Sequence, residues 1–350
     1  MENNKNIKFG LVPPVPGTDV KGLIQFARDC EEAGFESNWF PDHMLFMANR
    51  ITPEVWSVIT GASVLTKKIH LGAIGDPHRI HPAVFAHRLA TIDNMSAGRV
   101  FSCLGYGEKM NLDYYGIPWN KPLSRLRESV EIIKALLKGE VVNFEGDFFK
   151  LQNAEIRIRP HNGRSVPIYI AATGPKALSL AGEMGDGWIT NAMPDHLYSK
   201  KLGTVNESLK KRETKPEFER AIYIFLSISG DYDDAYKTLD SIKHAIIWPE
   251  LLEEAGYDIE IDDKFNGLEY TKIMPNDKEM IEKFREMGSE YYSREILENF
   301  VICGTPGDAR STIERYIDAG VDHFVLRDFS PDKEYSFEVL SKEILPFFKN

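Results

Sequence analysis

Asp42 and His43 stand side by side in NWFPDHMLF, directly after a short apolar run. Histidine exchanges its proton near neutral pH, so this pair suits proton transfer. The bland reading is a ring hydrogen-bonded to its neighbouring carboxylate and nothing more. Three other stretches carry polar groups in comparable settings: GAIGDPHRIHP, LGYGEKMN and IAATGPKA. In the second, Glu108 follows Gly105-Tyr106-Gly107. Glycines let a chain approach a ligand closely, and a carboxylate there can serve as acid, base or hydrogen-bond partner. In the third, Gly174 and Pro175 lead into a helix, whose N–H groups and dipole, with Lys176, would make an anion site. An acid–base pair on one side and a phosphate anchor on the other suit a phosphorylated cofactor. Metal chemistry is the competitor, through His78, His81 and His87 in PHRIHPAVFAH. Those histidines form neither a strand HxH pair nor a helical HExxH pair; His81, before Pro82, reads as a helix cap, and no metal is expected.

The elements that must position these groups repeat one grammar of apolar strand, loop, helix, glycine and next strand. Ile7 to Val12 reads as the first strand, and DVKGLIQFARDCEEAG as a helix capped by Thr18. FESNWF is the second strand, Pro53 to Leu65 a helix, KIHLGAIG the third strand and His81 to Met95 a helix. The fourth strand runs from Arg99 to Gly107, and Leu123 to Leu137 is an amphipathic helix. VVNFEGDFFKLQNAEIRIRP alternates around a Glu-Gly turn as a β-hairpin. VPIYIAAT, GDGWIT and Arg220 to Ser229 supply strands five to seven, with a helix from Lys176 to Met184. Residues 230–300 interrupt the rhythm as an acidic insertion with helical signals at Tyr236 to Ile247 and Lys278 to Met287. TPGDARSTIERYIDAG is a helix, VDHFVLRD the eighth strand and Tyr335 to Phe348 a closing helix.

Eight strand–helix units predict a (β/α)8 barrel formed by residues 1–350 as a single domain, with the hairpin and the 230–300 segment as insertions. The alternative, a doubly wound open sheet, is disfavoured by a first βα turn of VPPVPGTD in place of GxGxxG. In a barrel, chemistry belongs at the C-terminal strand ends, and Asp42, His43, Glu108 and Thr173 all fall there. The 350 residues, 43% hydrophobic and 27% charged, are those of an ordinary globular protein. No apolar run spans a bilayer and the N-terminus lacks a secretory h-region, so a cytoplasmic protein without membrane contact is expected. The net charge of −11 argues against nucleic acid as partner. Cys30, Cys103 and Cys303 lie far apart inside apolar runs, which is no disulfide framework.

NWFPDHM, HLGAIGDPHRIHPAVFAHRLATIDNMSAGRVFSCLGYGEKMN, IAATGPKALSLAGEMGDGWIT and ICGTPGD together resemble the bacterial luciferase-like superfamily, across nearly the whole chain. Within it they look most like the branch that uses the deazaflavin coenzyme F420, and FVLRDFSPDKEYSFEVLSKEI is similar to the methylenetetrahydromethanopterin reductases. The resemblance implies a TIM barrel with long insertions, a homodimer, and the coenzyme at the C-terminal strand ends. It implies hydride transfer between the deazaflavin C5 and a small organic substrate, an alcohol or carbonyl compound or a pterin-bound one-carbon unit. His43 would then handle the substrate hydroxyl proton and Glu108 would be the second acid–base group. Asp42 and Asn111 would contact the coenzyme. Ala73, Ile74 and Gly75, in a strand-three bulge with a cis peptide, would back its ring; Thr173, Gly174, Lys176 and Ala177 would hold its phosphate. Departures are Gly75 where many relatives carry threonine, Met47 where several dehydrogenases carry tryptophan, Val12 where the pterin reductases carry an acid, and no lysine directly after strand six. Flavin-dependent members share the pattern, so FMN with monooxygenase chemistry is the alternative, and a non-catalytic flavin-binding barrel is a third.

Overall fold

The computed structural model describes residues 7–14, 19–46, 52–214 and 217–349. The chain opens β1 (Lys8–Leu11), α1 (Val20–Glu32), β2 (Ser37–Pro41), α2 (Val55–Leu65), β3 (His70–Gly75), α3 (Pro82–Met95), β4 (Val100–Leu104) and α4 (Pro122–Lys138). The expected hairpin follows as β5 (Val142–Glu145) and β6 (Lys150–Ala154), paired antiparallel. Then come β7 (Ile168–Ala171), α5 (Pro175–Met184), β8 (Gly187–Asn191), α6 (Asp195–Leu209) and β9 (Glu219–Ile228). The insertion carries α7 (Tyr232–Asp240), α8 (Lys243–Ile246), α9 (Pro249–Glu254), α10 (Lys278–Tyr291) and α11 (Arg294–Glu298). β10 (Val301–Gly304), α12 (Pro306–Asp318) and β11 (His323–Asp328) complete the sheet, and α13 (Lys333–Val339) leads through a π-helical turn to α14 (Leu345–Lys349).

All eight expected strands form, and they close a parallel barrel in the order β1-β2-β3-β4-β7-β8-β9-β11, with β11 back on β1. Three local expectations change. The described N-cap of α1 is Asp19, accepting from the Lys21 N–H, while Thr18 lies outside the described residues. The single helix expected over Tyr236 to Ile247 is broken between α7 and α8. A ninth strand, β10, pairs with the distal half of β9, on the edge whose proximal half pairs with β8. Four apolar residues wedged between two helices gave no periodicity from which to read it.

Strand alternation divides the apolar side chains into two cores. Outward-facing residues such as Leu71, Ile170 and Phe324 pack under the helices. Inward-facing Trp39, Phe101, Tyr169 and Val325 fill the lumen. The lumen rings meet edge-on or tilted, with centroids 4.4 to 5.5 Å apart. Gly72 makes room for them: a Cβ there would stand 2.3 Å from the Phe101 ring. Below these rings a polar chain seals the floor across four strands. Glu219 takes Lys8 at 2.6 Å and His323 Nδ1 at 2.7 Å, and His323 Nε2 meets Ser37 Oγ at 2.8 Å. Burial raises the Glu219 carboxyl, but its bonds to His323 and Lys8 outweigh that and hold it well below the usual carboxylate range.

Arg99, at the foot of β4, is buried and donates to Thr66 Oγ1 and to the carbonyls of Ile69, Ser63 and Thr66 at 2.8 to 2.9 Å. It ties the end of α2 to the strands that carry the site. Replacing it with methionine strands those acceptors, and R99M is expected to lose about 3 kcal/mol or more of stability in urea unfolding.

Candidate active site

The C-terminal strand ends enclose a cavity of about 740 Å³. Asp42 and His43 reach it from the end of β2, Ile74 and Gly75 from β3, Glu108 and Asn111 from the loop after β4, and Thr173 from the loop after β7. The expected acid–base pair and the start of the anchor loop therefore share one chamber. The other expected residues stand apart from its wall. Ala73 points outward into the helix-facing core, as alternation requires. Gly174 is the N-cap of α5 with no side chain capping the turn. Lys176 is exposed and Ala177 buried against the core. As N2 and N3 of that helix, both present N–H groups that lack intrahelical partners.

Asn111 sets the geometry of the acid–base cluster. Its Oδ1 accepts from the backbone N–H of Met44 at 2.9 Å and of Leu45 at 3.3 Å. Those two donors fix which way the amide points. Its Nδ2 must therefore face His43 Nδ1, at 2.9 Å, and Glu108 Oε2, at 3.4 Å. An N–H aimed at Nδ1 requires a lone pair there, so the His43 proton sits on Nε2. The amide is thereby fully engaged, and Asn111, expected as a coenzyme contact, acts in this structure as the residue that orients the pair.

Between about pH 3 and about pH 7 neither member of the pair is charged. Burial, helped by the Arg79 and Arg327 guanidiniums, pushes His43 down from its ordinary 6.5 to about 3. Burial and the nearby Asp76 push Glu108 up from 4.5 to about 7, against the pull of Arg79. Glu108 Oε2 and His43 Nδ1 lie 3.5 Å apart with side chains 25% and 15% exposed. Between those two values this contact joins a neutral acid and a neutral base and is no salt bridge.

Asp42 is held differently. Arg79 reaches both its carboxylate oxygens, at 3.1 and 3.0 Å, and its carbonyl, at 2.9 Å, while donating to Asp76 at 3.2 Å. Burial raises the Asp42 carboxyl, and Arg79 opposes that. Gly75 belongs to this arrangement, because a Cβ there would stand 2.8 Å from Asp42 Oδ2. The hydroxyl missing at this position thus coincides with a closer approach of the aspartate.

Sequence reasoning missed four contributors. Arg79 and Asp76 sit in GDPHRIHP among histidines with other roles: His81 caps α3, and His78 bonds the Tyr106 carbonyl at 3.0 Å. Lys201, in α6, is buried and holds the Thr173 carbonyl at 3.0 Å while pairing with Glu254 of α9. Arg327, within β11, lines the cavity. The insertion roofs the chamber with Trp248 stacked on Tyr270 at 4.8 Å, together with Thr271 and Ile273. Tyr292, also of the insertion, is buried in the core. Met47 lies outside the described residues. No group of three or more potential metal ligands occurs among the described residues, and none of the described helices is long and apolar enough to cross a membrane.

A family model described as luciferase-like monooxygenase matches residues 8–323. The chain is 31% identical to a 5,10-methylenetetrahydromethanopterin reductase of Archaeoglobus fulgidus, over 98% of this chain and 100% of that protein. It is 29% identical to an F420-dependent glucose-6-phosphate dehydrogenase of Amycolatopsis mediterranei, over 97% and 98% of the two chains. The solved structure of an F420-dependent secondary alcohol dehydrogenase, in complex with an F420–acetone adduct, superposes with a TM-score of 0.82 at 25% identity, covering 99% of this chain and 100% of that one.

The tautomer is directly observable. Imidazole nitrogen NMR at pH 7 is expected to show His43 Nδ1 as an unprotonated, pyridine-type nitrogen and Nε2 as protonated. The unfolded chain takes up this proton near 6.5 and the folded chain only near 3. The group therefore withdraws stability as pH falls through that window, and an imidazolium signal for the folded protein at pH 5 would refute the assignment.

Proposed function

The chain belongs to the luciferase-like monooxygenase family, and within it we propose a coenzyme F420-dependent oxidoreductase that moves a hydride to or from a small organic substrate. The observation that carries this reading is the cluster of neutral His43 and neutral Glu108 oriented by Asn111 at the wall of the cavity. Hydride transfer between carbon atoms asks of a protein an apolar chamber, close positioning and one controllable proton. The relatives named for F420 support the choice of coenzyme.

The residues present fit such a group. Gly75 and Gly105 give one cavity wall little side-chain bulk beside Ile74, and the Gly105 N–H bonds the Gly75 carbonyl at 2.8 Å to join the two strand ends. Asp42 would contact the coenzyme from the end of β2. Thr173, Gly174 and the free N–H groups of Lys176 and Ala177 would take a phosphate at the start of α5, with Lys201 steadying the loop from behind. Ala73 would serve only through its backbone. When bound, the coenzyme supplies the hydride acceptor or donor at C5.

The two catalytic side chains divide the remaining work. With its proton on Nε2 and an amide N–H blocking Nδ1, His43 is a hydrogen-bond donor to the substrate oxygen. A neutral imidazole polarises a carbonyl without becoming a cation. Glu108, protonated up to about pH 7, is the proton donor in the reductive direction and, as carboxylate, the acceptor in the oxidative one. This reverses the emphasis of the sequence-level assignment, which gave the hydroxyl proton to His43. The substrate is proposed as a carbonyl or alcohol compound or a one-carbon unit on a pterin. A cytoplasmic homodimer is the proposed assembly, supported by the resemblance and by apolar surface at Val64 and Val84 on α2 and α3.

Parallel titrations with oxidised F420 and with FMN, followed by absorbance and tryptophan fluorescence, test the reading. Saturable binding of F420 in preference to FMN is expected; preference for FMN would move the chain to the monooxygenases and remove these roles. H43A is expected to lower the hydride-transfer rate by about 10²-fold or more, and a variant with wild-type rate would remove His43 from the reaction.

A further inference from the structure

Arg327 is a buried cation in the barrel lumen that meets no carboxylate among the described residues. Val325 packs in the lumen, so alternation turns Arg327 inward as well, one layer above it at the barrel mouth. The residue is 6% exposed and lines the cavity with Phe225 and Phe329. Its guanidinium lies 5.5 Å from the Phe329 ring, and one nitrogen donates to the Pro13 carbonyl. Among the described residues it has no acidic partner. The contrast with the other buried arginines is informative. Arg79 is answered by Asp42 and Asp76, and Arg99 by a full set of oxygen acceptors. A guanidinium carries five N–H donors in a fork suited to an oxyanion, and one carbonyl accounts for few of them. Burying such a charge without a counter-charge is costly.

Its position says which ligand it serves. The residues proposed for the coenzyme gather at the ends of β2, β3 and β7. The rest of the mouth is lined by Asn191 of β8, Tyr223 and Phe225 of β9, and Arg327 and Phe329 at β11, under the Trp248–Tyr270 stack. That half is aromatic, carries the buried guanidinium of Arg327, and adjoins His43 through β1. The influence of Arg327 on His43 shows that the two share one electrostatic neighbourhood.

We propose that Arg327 is a substrate-recognition residue, and that the substrate is a planar organic anion. Its carboxylate or comparable oxyanion sits on the guanidinium, its flat conjugated body lies among the aromatic rings, and its reducible carbon faces His43 and Glu108. The proposal rests on the hydride-transfer reading above and adds the chemical class of the substrate to it.

The probe is 4-acetylbenzoate, a planar ketone bearing a carboxylate, with its neutral methyl ester as control. Both are titrated by calorimetry against the wild type, R327M and R327K, and F420 is titrated separately against each protein. The wild type is expected to prefer the acid over the ester by about tenfold or more. R327M is expected to lose that preference, keep its F420 affinity, and melt at the same or a higher temperature, since an uncompensated buried charge is gone. R327K should retain part of the preference. Equal binding of acid and ester by the wild type, or an acid preference that survives in R327M, overturns the proposal. So does a lower melting temperature with unchanged ligand preference, which would make Arg327 a structural tie to Pro13. Loss of F420 binding in R327M would assign the residue to the coenzyme instead, leaving the hydride-transfer reading intact. Failure of the wild type to bind F420 would sink that reading, while the acid–ester comparison would still decide the role of Arg327.

Discussion

Closure of the parallel sheet, β11 against β1, is the constraint on which the site depends. It brings the ends of β2, β3, β4, β7 and β11 around one mouth, so that Asp42, Gly75, Glu108, Thr173 and Arg327 line one chamber although they are far apart in the chain. Closure in turn requires a filled lumen. Trp39, Phe101 and Tyr169 supply the volume, Gly72 yields the space for it, and the Glu219–His323–Ser37 chain seals the opposite end with satisfied polar groups. The site thus sits on a packed plug, beneath the insertion.

Within that chamber desolvation does most of the chemical tuning. It drives the same result from opposite directions, lowering the proton affinity of His43 and raising that of Glu108 until both are neutral together. Arg79 compensates the charge of Asp42 and Asp76 locally, whereas Arg327, in the same chamber, has no acidic partner among the described residues. The Asn111 amide then converts neutrality into direction, because its orientation leaves only Nε2 of His43 to carry the proton. A donor and a proton reservoir, each uncharged, are what a carbonyl oxygen gaining negative character requires in a poorly solvated space.

Much of this was legible in the residues. The strand–helix rhythm gave all eight barrel strands, and the position of Asp42, His43 and Glu108 just past strand ends gave their place at the mouth. What was hidden depends on contacts that no linear pattern encodes. Arg79 is one of many loop arginines until Asp42 and Asp76 fold against it. Arg327 reads as one polar residue in an apolar strand until alternation turns it into the lumen. Asn111 was legible as a site residue, but its amide orientation follows from two backbone N–H groups of another loop. Ala73 shows the converse: its neighbours Ile74 and Gly75 line the cavity, yet period-two alternation sends its own side chain outward. β10 was too short to leave a pattern, and the insertion offered aromatic residues without saying which faced the chamber and which, like Tyr292, joined the core.

The most direct test of the central claim is the protonation state of Glu108. Infrared difference spectroscopy against E108Q isolates its carboxyl band across a pH titration. A protonated carboxylic acid that persists until about pH 7 is expected. Because the folded state holds this proton more tightly than the unfolded chain, its contribution to stability should be present below 4.5 and lost as pH rises through about 7. A midpoint at the ordinary carboxylate value would contradict the account, since Glu108 would then be an anion at neutral pH, with no proton to give.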